Sequence, residues 1–190
     1  MMKKILLMGI IALISALTIA ACGNDNEGSN PHEGMDMDPG SEESMDMDHS
    51  GSADVPEGLI VQENPTYAVG TKAILETDHM EGMKGAEATI VGAYDTTAYA
   101  ISYTPTTGGE RVTNHKWVIH DEIKDAGEDT LELGTEVTIE ADHMNGMDGA
   151  TAEIDFAEQT TVYMVDYTST TNGEEVTNHK WVTESELSPK

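Results

Sequence analysis

Two stretches carry the side chains best placed to do chemistry: Asp78-His79-Met80-Glu81-Gly82-Met83-Lys84-Gly85-Ala86 and Asp142-His143-Met144-Asn145-Gly146-Met147-Asp148-Gly149-Ala150. Each gathers one imidazole and two thioethers, a donor set that suits Cu(I) and other soft ions far better than Zn(II), Mg(II) or Ca(II). The paired glycines would weaken a helix, so each stretch is expected to form a tight loop that presents His79, Met80 and Met83, or His143, Met144 and Met147. Asp78 and Asp142 would orient the imidazoles from behind. The competing role is structural, with methionine plugging the end of a small core and histidine capping a turn.

A second pair of candidates lies in Val112-Thr-Asn-His-Lys-Trp-Val118 and Val176-Thr-Asn-His-Lys-Trp-Val182. In an extended strand His115 and Trp117 project from one face, as do His179 and Trp181. A metal held there would meet an indole face; the plainer role makes the tryptophans core anchors and lets the histidines bond to backbone. His120 has Glu184 as its counterpart and is no candidate.

The elements that must position these residues come as a duplication. Residues 67–123 align with 131–187 without a gap at an offset of 64, and 30 of the 57 positions are identical. Period-two patterning predicts a strand before the His-Met loop (Ala73 and Leu75; Val137 and Ile139). A strand is predicted after it (Ala86, Ala88, Ile90; Ala150, Ala152, Ile154), then a third carrying Tyr99, Ile101 and Tyr103 or Tyr163, Val165 and Tyr167. Thr107-Gly108-Gly109 and Thr171-Asn172-Gly173 read as hairpin turns into the His-Lys-Trp strand. The expected fold is all-β: two tandem small SH3-like barrels, residues 57–127 and 128–190, sharing an interface because each core is small.

Before the repeats, Lys3 and Lys4 precede an apolar run from Ile5 to Ala20, the pattern of a secretory signal over residues 1–21. It ends in Ile19-Ala20-Ala21-Cys22, which is similar to a bacterial lipobox and makes Cys22, the only cysteine, the expected lipidation site. Residues 22–56 are poor in branched and aromatic side chains and read as a disordered acidic tether. That tether nonetheless carries Met35-Asp36-Met37-Asp38 and Met45-Asp46-Met47-Asp48-His49, so Met35, Met37, Met45, Met47 and His49 join the candidate copper ligands.

Removing residues 1–21 moves the formal charge from −27 to −29, which excludes nucleic acid and anionic lipid as partners of the surface field. A catalytic role is not expected: the chain has no Gly-x-Ser-x-Gly elbow, phosphate-binding loop or His-Glu-x-x-His pair. The duplicated acids Glu76 with Glu140 and Glu122 with Glu186 are expected to face solvent.

The Asp-His-Met-x-Gly-Met-x-Gly-Ala and Asn-His-Lys-Trp-Val strings, present twice behind a lipobox and a Met-rich tether, resemble the YdhK-type lipoproteins of Bacillus and relatives. Related staphylococcal surface lipoproteins bind copper and aid resistance to it. The resemblance implies a monomeric, lipid-anchored protein on the extracytoplasmic face of a Gram-positive membrane, sequestering Cu(I) or handing it on, with a copper exporter or a cell-wall component as partner. The alternative is an interaction module with no metal role, whose paired SH3-like domains bind cell wall or protein through a groove of exposed Tyr99, Tyr103, Tyr163 and Tyr167.

Overall fold

A computed structural model of the chain describes residues 50–190. The segment read as a signal peptide, and Cys22, Met35, Met37, Met45, Met47 and His49, lie outside the described residues. The described elements run β1 (Ile60–Val61), β2 (Lys72–Leu75), β3 (Glu87–Tyr103), β4 (Val112–Ile119), a 3₁₀ turn (His120–Glu122), β5 (Glu136–Thr138), β6 (Thr151–Thr168), β7 (Glu175–Thr183), a 3₁₀ turn (Glu184–Glu186) and β8 (Leu187–Pro189). Among the described residues the fold is therefore all-β, as the patterning predicts, and all eight strands join one antiparallel sheet.

What the periodicity reads as two strands in each repeat is one long strand, β3 in the first copy and β6 in the second. No proline or turn signal separates Ile90 from Tyr99. The strand can run on because its twin offers a partner along nearly its whole length, from Ala88 opposite Tyr167 to Tyr103 opposite Ala152. Thr96 lies opposite Thr160, its own counterpart at the offset of 64, so the pairing is a local two-fold centred on these threonines.

This pairing decides where the cores sit. One contains Ala73, Leu75, Met83 and Ile90 from the first repeat with Tyr163, Tyr167 and Val182 from the second. The other reverses the roles, with Tyr99, Tyr103 and Val118 from the first repeat and Ile139, Met147 and Ile154 from the second. The expectation of one core per repeat is thus corrected: the two ends of each long strand bury their side chains in different cores, and each core is completed by the other copy. A third cluster packs both indoles, Trp117 and Trp181, against Ala98, Ala100, Ile119, Val162 and Met164. The small alanines leave room for the large rings.

Residues 50–56 are the described end of the segment 22–56 that composition reads as a tether. They are seated on the fold: Gly51 N–H donates to Thr177 O (2.9 Å), Thr177 N–H donates to Ser50 Oγ (3.0 Å), and Lys180 Nζ donates to Asp54 O (2.7 Å). Backbone partners on β7 satisfy the polar groups of this stretch, and Val55 packs against the third cluster.

Candidate metal centre

Each His-Met stretch forms the expected tight loop, built as two successive turns. In the first, Met83 N–H bonds Met80 O (3.3 Å) and Ala86 N–H bonds Met83 O (2.9 Å); in the second the matching distances are 3.0 Å for Met147 to Met144 and 2.9 Å for Ala150 to Met147. Gly82 and Gly146 have φ of 81° and 78°, the left-handed region that glycine enters without strain. A side chain at Gly82 would also strike Ser169 Oγ, because the loop lies against the hairpin turn of the other repeat, where Thr170 N–H donates to Gly82 O (2.9 Å).

This geometry splits the methionines. Met83 and Met147 are fully buried, one in each core. Both are core residues, the structural role weighed for them above, and neither lines the cavity formed by the other candidates. Met80 and Met144 are half-buried at the core edges and line a cavity of about 920 Å³.

The cavity is where the two repeats meet chemically. His79, His115, His143 and His179 all line it, together with Met80, Met144, Lys116, Lys180, Ser50 and Gly51. Delivery of His115 and His179 depends on the residue before each: Asn114 and Asn178 have φ of 51° and 53°, a left-handed bend that asparagine tolerates. Each bend is fixed by a hydrogen bond, from Asn114 N–H to Ser102 Oγ (3.1 Å) and from Asn178 N–H to Asp166 Oδ1 (2.7 Å). Register shifts in β4 and β7 follow at these points, so the indoles enter the third cluster while the histidines stay at the cavity. His115 and His179 stand edge-on to Tyr103 and Tyr167, with centroids 6.0 and 5.9 Å apart.

The imidazoles of the loops are held from behind by Glu186 and Glu122, acids whose polar context predicts exposure to solvent. His79 Nε2 lies 2.7 Å from Glu186 Oε1, and His143 Nε2 lies 2.8 Å from Glu122 Oε1. Each carboxylate also binds an indole: Trp117 Nε1–H donates to Glu186 Oε2 (2.7 Å) and Trp181 Nε1–H to Glu122 Oε2 (3.1 Å). The same oxygens accept Thr183 N–H and Ile119 N–H. Asp78 and Asp142, expected in this role, are exposed. Glu76 and Glu140 are exposed as expected, whereas Glu122 is buried and Glu186 nearly so. One signal marks them in the sequence: Glu122 and Glu186 match in register, while the three residues before them, Ile119-His120-Asp121 and Thr183-Glu184-Ser185, all differ.

The protonation pattern follows from these partners. An ionised carboxylate can only accept, so Nε2 of His79 and of His143 carries the hydrogen and, in the neutral ring, Nδ1 keeps its lone pair. Both Nδ1 atoms are buried with no hydrogen-bond partner, as is Nε2 of His115. Burial, then the charges of His143 and His79, push His115 down to about 4 against the pull of Glu122, so it is neutral near pH 7. Burial alone would raise Glu186, but the hydrogen bond and charge of His79, with Thr183 N–H and the indole of Trp117, hold it at about 2. Leaving three buried imidazole nitrogens unsatisfied is costly, so water or a ligand in the cavity must meet them. Among the described residues no three His, Cys, Asp or Glu side chains converge as a metal cluster, so a single ion would also have to draw on thioethers.

The remaining expectations divide. Trp117 and Trp181 are core anchors, and neither lines the cavity. His120 is structural, bonded to Tyr99 Oη (2.9 Å) and Gly127 O (3.0 Å). Tyr99, Tyr103, Tyr163 and Tyr167 are buried, so the exposed tyrosine groove that an interaction module would need is not formed by them.

Residues 69–120 and 133–184 each match a family described as "Protein of unknown function (DUF1541)", one segment per repeat. The chain is 62% identical over 183 residues to the uncharacterized protein YdhK of Bacillus subtilis strain 168, covering 96% of this chain and 88% of that protein. Its fold is similar to a crystal structure of the same Bacillus subtilis protein, with a TM-score of 0.74 and 71% identity across 76% of this chain and 99% of that one. A solution NMR structure of the YdhK C-terminal domain gives 0.62 at 71% identity, across 65% and 93%. With both repeats matched and homology along nearly its full length, the chain belongs to the DUF1541 family.

Proposed function

We propose that this is a lipid-anchored extracytoplasmic copper-binding protein that sequesters Cu(I) or hands it on, in copper resistance or homeostasis. The observation that carries the reading is the set of buried, unpartnered nitrogens, His79 Nδ1, His115 Nε2 and His143 Nδ1, in residues that line one cavity with Met80 and Met144. Neutral imidazole and thioether together favour Cu(I), whereas structural Zn(II) sites use four closely set His and Cys ligands. Glu122 and Glu186 act as the carboxylate partners that orient metal-binding histidines. The lipobox ending in Cys22 supplies the anchor, and a membrane copper exporter is the natural recipient. The two halves are read as SH3-like barrels completed in exchange, because β8 returns to pair with β2 after β7 and its 3₁₀ turn, as the last strand of such a barrel does.

The test is a Cu(I) titration against a competing chelator. Met80→Leu with Met144→Leu is expected to weaken binding by about tenfold or more, on the scale of losses seen when metal-site residues change. Met83→Leu with Met147→Leu should leave affinity unchanged and cost less than about 1.5 kcal/mol, because volume is nearly conserved in the core. Wild-type affinity in the Met80/Met144 variant would sink the proposal.

A further inference from the structure

We infer that Thr113, Asn114 and Lys116, with the outer edge of β6 at Glu158 and Gln159, form a docking groove for an extended segment of a partner protein. The segment it fits has a glycine followed four and eight residues later by aliphatic side chains, and ends in a short β-strand. The chain itself shows such an occupant, because residues 50–61 fill the matching groove of the other repeat. There Gly51 and Ser50 bond the backbone of Thr177, Asn178 Nδ2–H donates to Gly51 O (3.4 Å), and Lys180 Nζ donates to Asp54 O (2.7 Å). Val55 and Leu59 pack against the cluster that holds the indoles, and Ile60 and Val61 add a strand to β3 opposite Asp95 and Tyr94. Glycine is required at position 51, since a Cβ would stand 2.6 Å from Asn178 O, a backbone atom with little freedom to retreat.

At the offset of 64, Thr177, Asn178 and Lys180 become Thr113, Asn114 and Lys116, while Tyr94 and Asp95 become Glu158 and Gln159. Asn114 repeats the left-handed bend of Asn178, so the backbone there is offered in the same way. Yet among the described residues none outside β3 hydrogen-bonds the backbone of Thr113 or of residues 156–160. The residue at the offset of Ile60 is Lys124, and it is held elsewhere, its N–H donating to Thr138 O (2.9 Å). The side chains record the difference. Asn114 is exposed where Asn178 is half-buried, and Lys116 Nζ, with no carbonyl to meet, lies 4.9 Å from the ring centroid of Trp117. Phe156 stands 46% exposed beside the same indole, whereas its counterpart Gly92 is buried. An open strand edge next to an apolar ring is what strand addition uses: main-chain bonds give affinity, and alternate side chains give specificity. This inference does not depend on what the cavity holds.

The probe is a synthetic peptide with the sequence of residues 50–61, titrated into the metal-free, nitrogen-15-labelled chain that lacks residues 1–22. Saturable one-to-one binding is expected, shifting the amide signals of Thr113 and Gln159 and leaving those of Thr177 and Asp95 in place. The same peptide carrying Gly51→Val is expected to bind at least about tenfold more weakly, because its Cβ meets the carbonyl of Asn114; this control leaves the folded chain untouched. Absence of binding, or equal binding of the Val peptide, would overturn the groove. So would shifts at Thr177 and Asp95, which mean that the peptide only displaces the chain's own segment or that copies exchange segments. Each of these outcomes leaves the copper reading standing.

Discussion

Glu122→Ala is expected to destabilise the chain by about 3–5 kcal/mol, the range for removing one partner from a buried, hydrogen-bonded polar set. The substitution strands three donors at once: His143 Nε2–H, Trp181 Nε1–H and Ile119 N–H. Each loses its acceptor in a place water does not reach, since Glu122 is 4% exposed and Trp181 fully buried. The effect crosses the repeats, because Glu122 follows the last long strand of the first copy while His143 and Trp181 belong to the second. Urea denaturation of the variant beside Glu132→Ala, an exposed acid whose loss should fall within about 0.5 kcal/mol, isolates the burial effect. A loss below about 1 kcal/mol for Glu122→Ala would mean that the carboxylate is not the keystone described.

Glu122→Gln with Glu186→Gln should act on metal far more than on the fold. The amide oxygen can still accept the indole and backbone N–H groups, so the cores remain. Its NH₂ then faces the histidine Nε2, which must become the acceptor, and the ring hydrogen moves to Nδ1. The lone pairs of His79 and His143 that are left over for an ion in the native arrangement are thereby removed. Affinity for Cu(I) is expected to fall 10- to 100-fold, the usual cost of disturbing the partners of metal-binding histidines. Nitrogen-15 NMR of the two imidazoles reads the tautomer directly. Unchanged tautomers together with unchanged affinity would show that the carboxylates do not set the site.

Much of this site is legible in the chain. The His-Met loops, the bend residues and the hairpin turns are local features, and local physics places them. What is not local is the exchange between repeats. Nothing within residues 87–103 says that this strand's partner is residues 151–168, since that choice depends on burying both ends at once. Glu122 and Glu186 were hidden for the same reason: their histidine and indole partners lie far along the sequence, and an acid in a polar 3₁₀ turn reads as solvated. Met80 and Met83 have the same side chain three residues apart. Only the double turn of the loop decides that Met83 enters the core and Met80 the cavity wall.

The most direct measurement is copper X-ray absorption on the Cu(I)-loaded chain that lacks residues 1–22 and in which Met35, Met37, Met45 and Met47 are leucine. Any sulfur seen must then come from the folded repeats. The expected result is copper retained against a competing chelator, with both imidazole nitrogen and thioether sulfur as neighbours, and with the sulfur lost on Met80→Leu and Met144→Leu. Copper that is not retained, or that shows only nitrogen and oxygen neighbours, would contradict a His-Met copper site in the cavity.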